Sequence, residues 1–137
     1  MSTTKKRRAD GQQTRATILD AATQLATVEG LDGLSIGRLA DHIGMSKSGL
    51  YAHFGSKEEL QLAAIDTATE IFMETVILPA REAETAFARL EALCENFLRY
   101  LETSVFPGGC FFASATAELD THPGPVREKL VQSLDGW

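Results

Sequence analysis

The residues best suited to chemistry lie in one short stretch, residues 46–57. If residues 46–54 form a helix, Lys47, Ser48, Tyr51 and His53 share its exposed side. These side chains carry hydrogen-bond donors, and the start of a helix adds free amide groups and the positive end of the helix dipole. Such groups suit phosphates and the edges of bases. The stretch is therefore a candidate nucleic-acid contact.

The cysteines and histidines do not suggest a second site. Cys94 and Cys110 are sixteen residues apart, unlike the ligands of a zinc ribbon, so we expect free thiols. Cys110 follows two glycines at a predicted helix start, which allows a redox sensor or, alternatively, a buried structural cysteine. His122 has no second histidine at helical spacing, so we predict neither a metal site nor a cofactor. Because no nucleophile and base pair is identifiable, we expect a protein that is not an enzyme.

Length and composition indicate a globular protein. The chain has 137 residues, of which 44% are hydrophobic and 23% charged. Its longest apolar runs are a few residues, far below the roughly 20 that cross a bilayer. The basic run 5–8 leads into polar residues and so does not resemble a secretory signal. We therefore expect a cytoplasmic protein with no membrane partner.

Charge is distributed unevenly along the chain. The net charge is −6, which by itself disfavours binding to a polyanion. Residues 1–57, however, carry eight basic and five acidic side chains, a balance of +3, which leaves −9 for residues 58–137. This asymmetry favours a front that binds polyanions and an acidic body.

Elements that could position the candidate contact follow from the spacing of apolar residues. Apolar residues recur three and four positions apart almost throughout, which predicts an all-α fold. We expect a first helix over 13–28 that stops at Gly30, with the basic run 5–8 disordered before it. A second helix from Ser35 to Gly44 and a third over 46–54 then enclose a short turn. This is the shape of a helix-turn-helix, although spacing alone also fits an ordinary helical hairpin.

The remaining residues predict a series of longer helices. Ser56 and Glu59 form a capping box that begins a connector helix, which Pro79 ends after Leu78. Further helices are expected over 83–103 and 110–119, with a last segment from Val126. In the 83–103 helix we expect these residues to point inward: Phe87, Leu90, Leu93, Cys94, Phe97, Leu98 and Leu101.

The stretch from Thr14 to Leu60 closely resembles the DNA-binding domain of the TetR/AcrR family of bacterial transcription regulators. It reads TRATILDAATQLATVEGLDGLSIGRLADHIGMSKSGLYAHFGSKEEL, and its ending, from Leu50 to Leu60, is similar to the most recognisable signature of the family. The resemblance implies that the third helix enters the major groove of operator DNA. The second helix would then brace it against the DNA backbone.

Ten residues form the predicted DNA-binding site: Ser35, Arg38, Ser46, Lys47, Ser48, Gly49, Tyr51, His53, Ser56 and Lys57. Lys47 and Ser48 are the predicted base contacts, and Tyr51 has the reach for a phosphate or a thymine methyl group.

Each of the other predicted contacts has an ordinary alternative. His53 reaches a phosphate or is a surface histidine, and Gly49 allows close approach to the groove or provides packing space. Ser35, Ser56 and Lys57 are predicted phosphate contacts, but capping alone also explains both serines. Arg38 contacts the DNA backbone or is simply solvated. The basic run 5–8 enters a minor groove or is inert.

For the second half of the chain, the resemblance implies a helical body that binds a small-molecule effector and pairs with a second subunit. We therefore expect two domains: 1–56 for DNA binding and 57–137 for effector binding and dimerisation. The candidate pocket residues, for which core packing is the alternative, are Phe72, Phe97, Phe106, Cys110, Phe111 and Phe112. The resembled proteins continue through two further long helices. The body is thus expected to be truncated, with a homodimer only where those helices are present.

The resulting prediction is a DNA-binding transcriptional regulator, in the first instance a repressor that an unidentified small molecule releases from double-stranded operator DNA. One alternative is a truncated helical interaction module that sequesters full-length regulators. A small cysteine-dependent helical enzyme has less support, because only Cys110 and His122 offer reactive groups.

Overall fold

Helices joined by short turns make up the chain. The computed structural model describes the backbone of residues 2–137 and the side chains from Arg7 onward. Within these residues all regular elements are helical, which confirms the all-α prediction. The elements are α1 (Ser2–Glu29), α2 (Ile36–Ile43), α3 (Lys47–Tyr51), α4 (Lys57–Phe72), a π-helical turn (Met73–Ile77), α5 (Leu78–Arg81), α6 (Ala86–Glu102), α7 (Phe111–Leu119) and α8 (Pro125–Asp135). We call α1–α3 the head and α4–α8 the body.

The first helix begins earlier than predicted. It starts at Ser2, so the basic run 5–8 has a helical backbone, and the expectation of a disordered tail is wrong. Lys, Arg, Gln and Ala are good helix formers, and the single interruption at Gly11 costs only about 1 kcal/mol. The side chains of Lys5 and Lys6 lie outside the described residues. At the other end the prediction is confirmed, because Gly30 adopts a φ of +83° and ends the helix.

The second and third helices have the predicted caps. The Ser35 hydroxyl accepts a hydrogen bond from the Arg38 amide at 3.2 Å, and Gly44 ends α2 with a φ of 71°. The Ser46 hydroxyl likewise accepts from the Gly49 amide at 3.1 Å and begins α3. However, α3 ends at Tyr51 instead of near residue 54. A turn after Tyr51 still carries Phe54 into the core.

The connector between head and body is longer than predicted. The Ser56 hydroxyl caps α4 as expected, accepting from the Glu59 amide at 3.1 Å, while the Glu59 carboxylate accepts from the Gly55 amide at 2.7 Å. Pro79 does not stop the helix. It follows the π-helical turn, whose wider backbone spacing accommodates a residue that lacks an N–H group. The Asn96 side-chain amide donates to the Val76 carbonyl in this turn at 3.1 Å.

The orientation of α6 differs from the prediction. Phe87, Leu90, Cys94, Leu98 and Leu101 are exposed, and Phe87 retains 76% of its accessible surface. The inward side is formed by Leu93, Phe97 and Tyr100. The helix is apolar on more than one side, so spacing alone does not identify the side that packs against α5 and the π-helical turn.

A single apolar core extends from the head into the body. It includes Ile18 of α1, Leu39 of α2 and Leu50 of α3, and it continues without interruption through α4 to Leu130 of α8. The connector contributes Leu60, Ala64 and Ala68, and its acidic residues lie largely on the exposed side. The head is therefore positioned by packing against the same helix that supports the body.

Candidate nucleic-acid interface

The third helix exposes hydrogen-bond donors on one side, because two buried side chains on its opposite side hold it against the core. Leu50 and Phe54 are buried, with at most 1% of their surface accessible. On the opposite side Lys47 and Ser48 are exposed, and Tyr51 retains 55% of its accessible surface. The structure thus places three of the predicted contacts on one open side of a short helix. No partner within the described side chains covers that side.

Lys47 lies across the beginning of the neighbouring helix. A Cβ atom added to Gly37 of α2 would lie 3.2 Å from Cε of Lys47, so the absence of a side chain at Gly37 makes room for the lysine. Gly37 was not part of the sequence prediction. A glycine in the first turn of α2 indicates a contact with Lys47 only when the crossing of the two helices is known.

Gly49 is partly buried, and the α-hydrogen that stands in place of a side chain faces the helix cap. A Cβ atom there would lie 3.0 Å from the Ser46 hydroxyl and 3.6 Å from Cε of Met45. A side chain at this position would therefore crowd the cap that begins α3. These contacts favour the packing interpretation of Gly49, while its role in close approach to DNA stays a prediction.

An arginine that the sequence analysis missed fixes the end of the third helix. Arg15 of α1 donates a hydrogen bond from Nη1 to the carbonyl of His53 at 2.9 Å. Its guanidinium carbon also lies 4.3 Å from the centre of the Phe54 ring, a cation–π contact. His53 is half-buried. No periodic pattern in the sequence connects residues 38 positions apart, so spacing could not identify this contact.

The predicted phosphate contacts lie at helix starts and already have protein partners. Arg38 forms an ion pair with Glu29, yet 62% of its side chain remains accessible. Lys57 donates to the carbonyl of Asp32, and its Nζ lies 3.6 Å from the Asp32 carboxylate. Both cations are therefore held in place at the surface. Each retains further N–H donors for a phosphate.

The five phenylalanines among the six candidate pocket residues lie in one packed aromatic cluster. Phe72 lies at its centre, with ring-centre distances of 5.6 Å to Phe112 and 6.2 Å to Phe97. Phe106 and Phe111 pack 6.0 Å apart, and Cys110 is partly buried beside the core. Of the six, Phe112 also lines an open groove of about 680 Å³ between α7 and α8, together with Thr116, Asp120 and Leu134. A pocket lined by the other five stays a prediction.

Tyr100, which the sequence analysis did not single out, is an unusual member of this cluster. It is 3% exposed, and its hydroxyl makes no hydrogen bond of standard geometry within the described part of the chain, although the Phe111 backbone and the Cys110 thiol lie close enough to influence its ionisation. Burial, and secondarily the nearby Cys110 sulfur, raise the pKa of the Tyr100 phenol far above its ordinary value of about 10. The cluster therefore contains one desolvated polar group.

We predict that Tyr100→Phe stabilises the protein by about 1 kcal/mol, since it removes an unpaired buried hydroxyl while keeping the ring. Above pH 10 the unfolded chain releases the phenol proton before the folded chain does, so stability falls as the pH rises. The variant should show a smaller decline in urea unfolding measured from pH 8 to pH 11. Tyr51→Phe, at an exposed position, is the matched control. An equal decline in wild type and Tyr100→Phe would contradict the prediction.

The helical arrangement and the sequence of the head together match a known family. The family model of bacterial regulatory proteins of the tetR family matches residues 18–64, and the model of the tetracyclin repressor-like C-terminal domain matches residues 86–137. The chain belongs to the TetR family. The two matches follow the order head then body, and the first contains all ten residues of the predicted TetR-family DNA-binding site.

Individual TetR-family relatives agree with the family models. The chain is 32% identical over 88 residues to the HTH-type transcriptional activator FasR of Mycolicibacterium smegmatis, covering 64% of this chain and 40% of FasR. It is 34% identical over 56 residues to the regulator AcrR of Shigella flexneri, covering 41% of this chain and 26% of AcrR. The chain thus spans less than half the length of both relatives.

A solved structure shows the same fold as this TetR-family chain. A TetR transcriptional regulator from Chloroflexus aurantiacus superimposes with a TM-score of 0.84 at 31% identity, covering 94% of this chain and 65% of that one.

Among the described residues, none of the helices combines the length and apolar character that a bilayer span requires. The same residues contain no group of three or more potential metal ligands.

Proposed function

We propose that this chain is a DNA-binding transcriptional regulator whose α3 contacts the bases of an operator. The observation that carries the proposal is the open side of α3, where Lys47, Ser48 and Tyr51 are exposed above the buried anchors Leu50 and Phe54. Short polar side chains at a helix start can approach base edges, and the amides there favour nearby phosphates. Membership of the TetR family supports the same role.

Charge supports an orientation in which the head faces the DNA. Residues 1–57 carry a balance of +3 and residues 58–137 a balance of −9. The field of the body therefore repels a polyanion, while the head attracts it. Arg38 and Lys57 are exposed cations that we assign to the DNA backbone. Tyr51 is assigned to a phosphate or to a thymine methyl group.

The regulatory part of the proposal is release of the operator by a small molecule that binds the body. The open groove between α7 and α8 offers an apolar wall from Phe112 and Leu134 with polar groups from Thr116 and Asp120. Few polar groups on a mainly apolar surface are typical of ligand sites. We propose repression as the sign of regulation. FasR, which resembles the chain over 88 residues, is named an activator, so an in vitro transcription assay must determine the sign.

Two heads are expected to act together. Recognition helices about 34 Å apart contact successive turns of the major groove, whereas a single head binds weakly. We therefore propose a homodimer as the form that binds an operator, paired through the two further long helices that the family resemblance implies. A monomeric chain should retain only weak affinity.

We predict salt-sensitive, sequence-selective binding to duplex DNA. Fluorescence anisotropy should follow a duplex that the protein selects from a randomised library, across a salt series, with light scattering to give the mass of the complex. The logarithm of affinity should fall against the logarithm of salt with a slope of about −0.9 for each phosphate contact. A scrambled duplex is the control. Equal binding of both duplexes by a confirmed dimer would contradict the proposal and favour the alternative module that sequesters other regulators.

A further inference from the structure

The loop between α1 and α2 is bonded to the body at two consecutive amides. One carboxylate oxygen of Glu118, in α7, accepts from the amide of Leu31 at 2.8 Å, and the other accepts from the amide of Asp32 at 2.7 Å. Glu118 is 86 and 87 positions away from these residues in the sequence. A carboxylate that receives two backbone N–H groups makes strong, directional hydrogen bonds. We call this pair of bonds the Glu118 contact.

The connector holds the carbonyl groups of the same two residues. The Gln61 side-chain amide, itself buried, donates to the carbonyl of Leu31 at 2.7 Å. Lys57 donates to the carbonyl of Asp32. Leu31 and Asp32 are thus each bonded to α7 through the amide and to α4 through the carbonyl. A displacement of α7 would act on the peptide groups that also hold Lys57.

Glycines permit this close approach between head and body. A Cβ atom at Gly30, where φ is +83°, would lie 3.0 Å from each Glu118 carboxylate oxygen. The amide of Gly108 donates to the Thr27 hydroxyl at 3.0 Å, and a Cβ atom at Gly108 would lie 1.9 Å from the Thr27 carbonyl oxygen. Since a real Cβ atom cannot occupy that position, the turn before α7 touches the end of α1 directly, backbone to backbone.

We propose that Glu118 is a positioning residue for DNA binding, which fixes the α1–α2 loop and, through Asp32, the Lys57 side chain relative to the body. This inference rests on the proposed function. The same helix that carries Glu118 lines the groove with Thr116 and Asp120. A ligand in that groove that moves α7 therefore changes the Glu118 contact, and the affinities for ligand and DNA become linked.

Glu118→Gln tests the contact with a minimal change. The glutamine can accept through its single oxygen, but its NH₂ group then faces an amide donor, so one of the two bonds is lost. Glu128→Gln is the matched control. It makes the same substitution at an exposed position of α8 that does not line the groove. Both variants therefore remove one negative charge from the body, but only Glu118→Gln removes a bond to the α1–α2 loop.

The experiment compares both variants with wild type on the duplex that the wild-type chain selects from a randomised library. Anisotropy is measured well below the unfolding midpoint of every variant, and amide hydrogen exchange is followed at Leu31 and Asp32. We expect Glu118→Gln to bind about fivefold more weakly, with faster exchange at both amides. Glu128→Gln should match wild type in both measurements. Faster exchange with unchanged DNA affinity would show a purely structural role and overturn the inference.

A second variant keeps the inference testable if Glu118→Gln fails to fold. Thr27→Val removes the hydroxyl that accepts from the Gly108 amide while retaining the shape of the side chain, and we expect about twofold weaker binding. Affinity equal to wild type would overturn the inference. If wild type selects no duplex, the proposed function fails and the role of Glu118 in DNA binding fails with it. If wild type selects a duplex that both variants bind equally well, the inference alone fails.

Discussion

Phe72→Ala should lower the free energy of unfolding by about 3–5 kcal/mol, the usual cost of removing a buried aromatic ring. Phe72 is 6% exposed and lies at the end of α4, beside aromatic rings of α6 and α7. Its ring stacks on Trp137 at 4.4 Å and meets Tyr100 edge-on at 5.5 Å. Edge-on and offset-stacked aromatic pairs add to the free energy of burial alone. Loss of the ring would leave a cavity among several rigid neighbours that cannot all move to fill it.

Urea unfolding followed by circular dichroism measures this loss, with Phe87→Ala as the matched control. Phe87 is 76% exposed on α6, so its replacement should change stability by less than about 0.5 kcal/mol. An equal loss in the two variants would contradict the packing of α6 described above. It would mean that the exposed apolar side of α6 is covered in solution.

The local elements of the head could be predicted because their signals are local. Ser35, Ser46 and Ser56 each cap the helix that follows, and Gly30 and Gly44 end the helices that precede them. Each signal acts within three or four residues of its own position.

Contacts between distant parts of the chain could not be predicted in this way. Nothing in the sequence connects Glu118 to the amides of Leu31 and Asp32, or Arg15 to the carbonyl of His53. A carboxylate on a helix surface ordinarily faces water, so its residue type predicts no partner. The candidate site has the same limit. The exposure of Ser48 and Tyr51 follows from the helix period, but the position of Lys47 over Gly37 depends on how two helices cross.

The predicted division at residues 56 and 57 separates elements that share one core. Leu60 and Ala64, at the beginning of α4, are buried in the same cluster as Leu50 of the head. The connector therefore contributes to the packing of both parts. The division into domains 1–56 and 57–137 stays a prediction, which separate expression of residues 1–56 would test.

Lys47→Ala and Lys57→Ala should weaken DNA binding in two distinguishable ways. If Lys47 contacts a base, its removal costs about 1–3 kcal/mol on the selected duplex and relaxes the preference at one position of the site. Lys57, assigned to a phosphate, should weaken binding to all duplexes alike. Its removal should also reduce the salt slope by about one for each head. Both losses are measured by anisotropy against the selected duplex and a set of single-position variants of it.

Lys129→Ala is the matched control for these two variants. Lys129 lies in α8 and pairs with Asp66 at 2.6 Å, so its removal changes the net charge equally but away from the open side of α3. Because exposed ion pairs contribute at most about 1 kcal/mol, the control should fold and bind like wild type. The comparison also tests a contact with the DNA backbone, because Lys47 lies over Gly37 at the start of α2. If Lys47→Ala weakens all duplexes alike and lowers the salt slope, Lys47 contacts the DNA backbone from the start of α2, and base recognition must come from Ser48 and Tyr51.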